Sequence, residues 1–141
     1  MKAYLLDTNV ISEIMTFEPN QRVIDFLAHL KESYLSVITL HELQYGLQFL
    51  PEGQRRNSIA NKLQNLLTYY NDYIIPVNQA IALQAALLRA DAKQEGRIVH
   101  LADALIASTA RVNNWIVATR NTNDFIDSGV DIINPWIFES L

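Results

Sequence analysis

Four acidic residues stand where short apolar runs give way to polar ones. Asp7 follows the run Ala3 to Leu6, and Glu42 lies one turn beyond the run Tyr34 to Ile38. Asp103 lies in the first turn of an apolar segment from His100 to Ala110, and Asp124 in the turn after Trp115 to Ala118. A carboxylate in such a place can take part in catalysis, hold a metal ion or cap the next helix. Each residue therefore has a plainer reading beside the chemical one. Asp7 or Thr8 can be a helix N-cap. Thr39-Leu40-His41-Glu42 fits a capping box, with Glu42 bonding back to the Thr39 amide. Asn121-Thr122-Asn123-Asp124 fits ordinary turn chemistry. Asp103 resists such a reading best. It shares a helical stripe with Ile106, Ala107 and Ala110, where an ionised carboxylate is costly unless paired, hydrogen-bonded or metal-bound, although the helix dipole also favours Asp in a first turn.

Taken together, the four carboxylates change the weighing. Brought to one edge, each pair would repel by roughly 3 kcal/mol at about 6 Å and an effective dielectric near 20. Arg120 is the one evident cation near these positions, so a divalent ion is the natural neutraliser. All-oxygen ligation selects hard metals, Mg²⁺ or Mn²⁺. An ion held this way polarises a phosphate, lowers the pKa of a bound water and stabilises a leaving oxygen, which suits phosphodiester hydrolysis. Asn9, Ser36, Thr39, Thr119, Arg120 and Asn121 fall around the same edge and can orient the acids or contact phosphate oxygens. For Asn9 and Thr119 a satisfied loop hydrogen bond is an equal alternative. Arg120 is the better phosphate candidate, because a guanidinium can fork onto two oxygens.

Other chemistries lack their residues. His29, His41 and His100 show no zinc-ligand spacing and read as surface or helix residues, and no Ser-His-Asp arrangement can be argued from the spacing. The glycines are Gly46, Gly53, Gly96 and Gly129, so neither common glycine-rich phosphate loop is present. With no Cys there is no disulfide framework and no thiolate metal site. Trp115 and Trp136 flank the last apolar runs and read as core or interface rather than base-stacking platforms. A net charge of -4 argues against a protein that coats nucleic acid through bulk positive charge, but not against a nuclease whose own carboxylates bind cations.

Positioning these side chains requires a scaffold. A chain of 141 residues, 50% hydrophobic, can bury one substantial core. Ala3 to Leu6, Tyr34 to Ile38, Tyr73 to Ile75, Trp115 to Ala118 and Asp131 to Ile133 are strand candidates. Between them, apolar residues recur at helical spacing: Val10, Ile11, Ile14 and Met15; then Val23, Phe26, Leu27 and Leu30; then Leu40, Leu43 and Leu47. Ile59, Leu63, Leu66, Leu67 and Tyr70 follow, and Ile81, Ala85 and Leu88 mark a helix stopping near Gly96. Strands alternating with helices predict a single α/β domain over residues 1–141, a parallel sheet covered by helices on both faces in a Rossmann-like three-layer arrangement. Right-handed crossovers then bring every strand's carboxyl end to one edge, where open α/β sheets bind ligands. No apolar run reaches the roughly 18 residues of a spanning helix and no signal peptide is evident, so a cytoplasmic protein is the expectation.

The motifs carrying this pattern resemble a known family, the PIN domains, and within it the bacterial VapC-type toxins and their FitB-like relatives. The matching stretches are Leu5-Leu6-Asp7-Thr8-Asn9-Val10-Ile11-Ser12, then Tyr34 to Leu43 with Gly46, Ala102 to Ala107, Val117 to Phe125 and Asn134-Pro135-Trp136. The resemblance implies a metal-dependent endoribonuclease, the toxin of a toxin–antitoxin pair. The family's acidic site maps onto Asp7, Glu42, Asp103 and Asp124, its polar helper onto Asn9 and its Thr after the fourth strand onto Thr119. In some relatives the last acid stands where this chain has Asn121. The resemblance further implies a homodimer, held inactive by a small antitoxin that carries a DNA-binding module and lays its tail in the toxin's groove.

Two rival readings differ in class. Aspartyl-nucleophile phosphotransferases also place Asp after the first strand, but they want a second Asp where this chain has Asn9, and a Lys near a strand end, whereas Lys93 lies within a helix. A catalytically weak binding module, working mainly inside a DNA-binding autoregulatory complex, is the stronger rival.

Overall fold

The computed structural model describes residues 2–139. Five strands form one sheet in the order β3-β2-β1-β4-β5, every neighbouring pair parallel. They are β1 (Tyr4–Leu6), β2 (Ser33–Ser36), β3 (Ile74–Ile75), β4 (Ile116–Ala118) and β5 (Ile132–Ile133). Six helices connect them: α1 (Thr8–Ile14), α2 (Gln21–His29), α3 (Val37–Leu47), α4 (Gln54–Tyr69), α5 (Gln79–Gln94) and α6 (Leu101–Asn113). The sequence expectation of a helix-covered parallel sheet is met.

Alternation along the short strands creates the two cores. Leu6, Leu35 and Ala118 pack with Val10, Ile11, Val23, Phe26, Leu43 and Leu63 of the first four helices. Leu5 and Val117 point the other way, against Ile106, Ala107 and Ala110 of α6 and against Phe125. Successive side chains on a strand face opposite sides, so a one-residue slip would exchange these two sets.

The chain steps outward from β1 to β2 and β3, then returns through α5 and α6 to lay β4 on the other side of β1. The strand order reverses between β1 and β4, and this switch point opens a crevice at the strands' carboxyl ends. Asp7 and Thr119 are the residues that leave β1 and β4 there, and the Asp7 N–H donates to Ala118 O at 2.9 Å.

Boundaries differ from the sequence reading in one instructive place. The second strand ends at Ser36, not Ile38, because the Ser36 hydroxyl accepts the Ile38 N–H at 3.0 Å and caps α3. Val37 and Ile38 carry strand propensity, yet an N-cap just ahead of them places both in the first turn of a helix. Thr39 is therefore inside α3, and the capping box expected over Thr39 to Glu42 does not form. The helix beginning near His100 runs on to Asn113 and closes on Asn114, which adopts the left-handed conformation at φ 58°. Gly96 ends α5 at φ 77°, as its position suggested. Among the described residues no helix is long and apolar enough to cross a membrane.

Candidate active site

Asp7 is 5% exposed and is both the N-cap of α1 and the centre of a hydrogen-bond network. Its Oδ1 accepts the Thr8 N–H at 2.8 Å, while Oδ2 accepts Thr119 Oγ1 at 2.8 Å and Asn9 Nδ2 at 3.2 Å. The capping reading and the chemical reading are thus compatible, since three of the carboxylate's roughly four acceptor sites are filled and Oδ1 keeps spare capacity. Burial raises the Asp7 pKa above the usual carboxylate range, the hydrogen bonds from Thr119 and Thr8 pull against that, and Glu42 and Asp124 push it up further.

Thr119 is fully buried and its hydroxyl is used completely. It donates to Asp7 and accepts from Asn9 Nδ2 at 3.2 Å and from the Asn121 N–H at 3.0 Å. Asn9 in turn accepts the Arg120 N–H on its Oδ1 at 3.1 Å. Asn9, Thr119 and Asn121 therefore lock the turn after β4 to the turn after β1.

Glu42 comes from the middle of α3. Its Oε1 accepts the Thr8 hydroxyl at 2.7 Å, and Thr8 Oγ1 also lies 3.2 Å from Thr39 Oγ1. Thr8 has one hydroxyl proton, given to Glu42, so the Thr39 hydroxyl must be the donor in their mutual contact. Ser36 serves as the cap of α3, its hydroxyl accepting the Ile38 N–H.

Asp103 projects from the first turn of α6. Burial, then the charges of Asp124, Asp7 and Glu42, push its carboxyl up to about 6, and His100 pulls the other way. Asp7, Glu42 and Asp103 line one cavity of about 440 Å³ together with Thr8, Asn9, Arg120, Asn121 and Trp136. Asp124, exposed in a 3-10 turn over Thr122–Asp124, does not line it. It borders an adjoining cavity of about 370 Å³ that it shares with Asp103, His100 and Arg97. Asp103 thus stands between two chambers, with Asp7, Glu13 and Glu42 on one side and Asp124 and Asp127 on the other.

Three features of the donor set fit a hard divalent cation. The ligands on offer are all oxygens, the neighbouring carboxylates raise the pKa of Asp7 and of Asp103, and among the described residues no Lys, Arg or His forms an ion pair with any of the four acids. As the side chains stand, no three acidic or histidine groups among the described residues form a ready chelate. Bare carboxylates repel, and a shared cavity holds them apart while leaving them on one edge.

Several cavity residues lie outside those the sequence assigns to the site: Ser12, Glu13 and Thr16 from α1 and the turn after it, and also Thr8 and Trp136. Thr8 entered only as a possible cap, although its place beside Asp7 at a strand-to-helix junction was a signal. Trp136 was taken as core or interface; it packs partly on the first core but also lines the acidic cavity, with the Arg120 guanidinium carbon 5.1 Å from its ring centroid. Trp115 does stack in the fold, on Tyr34 at 4.1 Å between ring centroids. The three histidines are exposed.

Fold and cavity define a class: a parallel α/β domain whose acidic pocket sits at the topological switch point. Residues 4–128 match the PIN domain model, and the chain belongs to that family. It is 41% identical over 135 residues to VapC ribonuclease Y4jK of Sinorhizobium fredii, covering 94% of this chain and 96% of the relative. It is 39% identical over 135 residues to toxin FitB of Neisseria gonorrhoeae, covering 94% and 97%. A solved structure of FitAB bound to an IR36 DNA fragment matches with a TM-score of 0.88 at 37% identity, over 97% of this chain and 98% of that one.

Proposed function

We propose that the chain is a single-domain endoribonuclease acting in the cytoplasm as the toxin of a toxin–antitoxin pair, with Asp7, Glu42, Asp103 and Asp124 as its acidic site. The observation that carries this reading is the meeting of Asp7, Glu42 and Asp103 from three different places in the chain in one cavity, with Glu13 also lining it and no ion pair to any of them among the described residues. Asp7, Glu42 and Asp103 would hold Mg²⁺ or Mn²⁺, with Asp124 beside them. When bound, the ion supplies charge for the phosphate and acidity for a water.

The chain's own residues divide the remaining work. Thr119 and Asn9 hold Asp7 in one orientation, so no rotamer entropy is lost when it engages a ligand. Thr8 does the same for Glu42. Asp103, with its carboxyl near 6, is mostly ionised at neutral pH and would be held in that form by a bound cation.

The relatives named VapC ribonuclease and the FitAB complex support RNA as substrate and an antitoxin with a DNA-binding module as partner. A surface feature agrees. An apolar groove of about 680 Å³, lined by Met15, Phe17, Leu43, Leu47, Leu50 and Ile59, runs into the acidic cavity through Ser12, Thr16 and Glu42, which border both. A tail peptide lying there would bury apolar side chains and reach the acids. A homodimer belongs to the same proposal.

The deciding experiment is incubation of the purified chain, freed of partner, with RNA and millimolar Mg²⁺ or Mn²⁺, beside Asp7→Asn. Metal-dependent cleavage lost in the variant supports the reading. An inert wild type that still binds a DNA-binding partner would favour the weak binding module instead.

A further inference from the structure

Arg120 is exposed at the lip of the acidic cavity, yet it pairs with none of the carboxylates around it. Its backbone N–H is held by Asn9 Oδ1 at 3.1 Å, and its guanidinium lies over the Trp136 ring, 5.1 Å from the centroid. Such a contact is attractive, more so on Trp than on other rings. Trp136 is fixed in turn. It sits in the 3-10 turn Pro135–Ile137, where Asn134 Oδ1 accepts its N–H at 2.9 Å and Pro135 is buried beside it.

A cation drawn to carboxylates would quench the site it stands beside. A cation laid on an indole face keeps its N–H fork free and stays within the cavity. A nucleic-acid strand approaching the four carboxylates that line the cavity, on a protein of net charge -4, meets repulsion, so a fixed cation at the mouth has a clear physical task.

Resting on the ribonuclease reading above, we infer that Arg120 binds a phosphate of the RNA strand at the cavity mouth and that Trp136 is the positioning residue that holds its guanidinium there. The fork matches two non-bridging phosphate oxygens. RNA is favoured over a partner peptide by placement. Arg120 and Trp136 line the acidic cavity and do not line the apolar groove where a peptide tail would lie.

The test measures binding of a labelled single-stranded oligoribonucleotide by anisotropy in the cleavage-inactive Asp7→Asn chain, without metal and over a range of salt. It adds kcat and KM in the active chain, for Arg120→Ala, Arg120→Lys, Trp136→Leu and Trp136→Phe. Arg120→Ala is expected to weaken binding about tenfold and to reduce the slope of log Kd against log salt by about 0.7, the value for one phosphate contact on a single strand. Its KM rises while kcat changes less. Arg120→Lys restores the slope and part of the affinity. Trp136→Leu keeps the slope, because the charge remains, but loses affinity, and Trp136→Phe recovers part of that loss, which a packing defect alone would not reproduce. Unchanged affinity and slope in Arg120→Ala, with cleavage still abolished by Asp7→Asn, overturns the inference and leaves the ribonuclease reading standing. Unchanged RNA binding with lost binding of the antitoxin would assign Arg120 to the partner and overturns it too. A wild-type chain that neither binds nor cleaves RNA removes the ribonuclease reading itself.

Discussion

The Thr119 hydroxyl donates to Asp7 Oδ2 at 2.8 Å, joining residues 112 apart in sequence across the point where the sheet reverses its strand order. The bond is possible only because β4 returns to lie beside β1, and it ties the geometry of the acidic cavity to the central strand pair. Thr119→Val keeps the shape and removes the hydroxyl. Asp7 then loses a donor, and Asn9 Nδ2 and the Asn121 N–H lose an acceptor. The expected cost is about 1 to 3 kcal/mol in urea unfolding, with a further rise in the Asp7 pKa and a fall in cleavage rate. Thr119→Ser, which keeps the hydroxyl, is expected to sit near wild type in all three.

Thr8 separates positioning from stability. It is half-buried and its hydroxyl holds Glu42 Oε1 at 2.7 Å. Thr8→Val frees a glutamate that water can reach but also leaves the buried Thr39 hydroxyl without its partner, so unfolding free energy is expected to fall by about 1 kcal/mol. Cleavage depends on where the carboxylate stands, and is expected to fall about tenfold or more. Equal losses in stability and rate would make Thr8 merely a packing residue.

Asp103 gives a pH dependence with a definite sign. Its carboxyl is near 6 in the folded, metal-free chain against 3.8 ordinarily, so the folded state holds its proton more tightly than the unfolded one. The stability this contributes is present in full below about pH 4 and is lost as pH rises through 6. Asp103→Asn cannot ionise. The difference in unfolding free energy between variant and wild type is therefore expected to be near zero at pH 4, to grow between pH 4 and 6, and to level off at pH 7 with the variant about 1 kcal/mol more stable, after discounting for solvent screening. Activity should be abolished throughout. A variant less stable by more than about 1 kcal/mol at pH 7 would instead show Asp103 to be structural.

What could be read from residues alone follows a physical division. Helical spacing found the stripe of Ile106, Ala107 and Ala110, and short apolar runs found all five strands, because each pattern is local. The placing of Asp7 at the edge followed from parallel topology. Ile38 was misread as strand because its β propensity yields to the Ser36 cap, a competition settled by one hydrogen bond. The Thr8–Glu42 and Arg120–Trp136 contacts could not be read at all, since each joins separate elements whose relative placement only the packed fold defines. The division of the acids between two cavities has the same origin.

That division bears on Asp124. It is exposed and lines the cavity it shares with Asp103 but not the one lined by Asp7 and Glu42, yet its charge is the foremost electrostatic cause of the raised Asp103 pKa. Asp124→Asn is therefore expected to act largely through Asp103. The acidic limb of the pH–rate profile should move to lower pH, because removing a nearby negative charge lets Asp103 ionise more readily. The loss in kcat/KM should be about tenfold or less, against more than a hundredfold for Asp7→Asn. A loss as deep as that of Asp7→Asn, with the acidic limb unmoved, would mean that Asp124 meets the ion itself, and that the two chambers close into one when substrate and cation are bound.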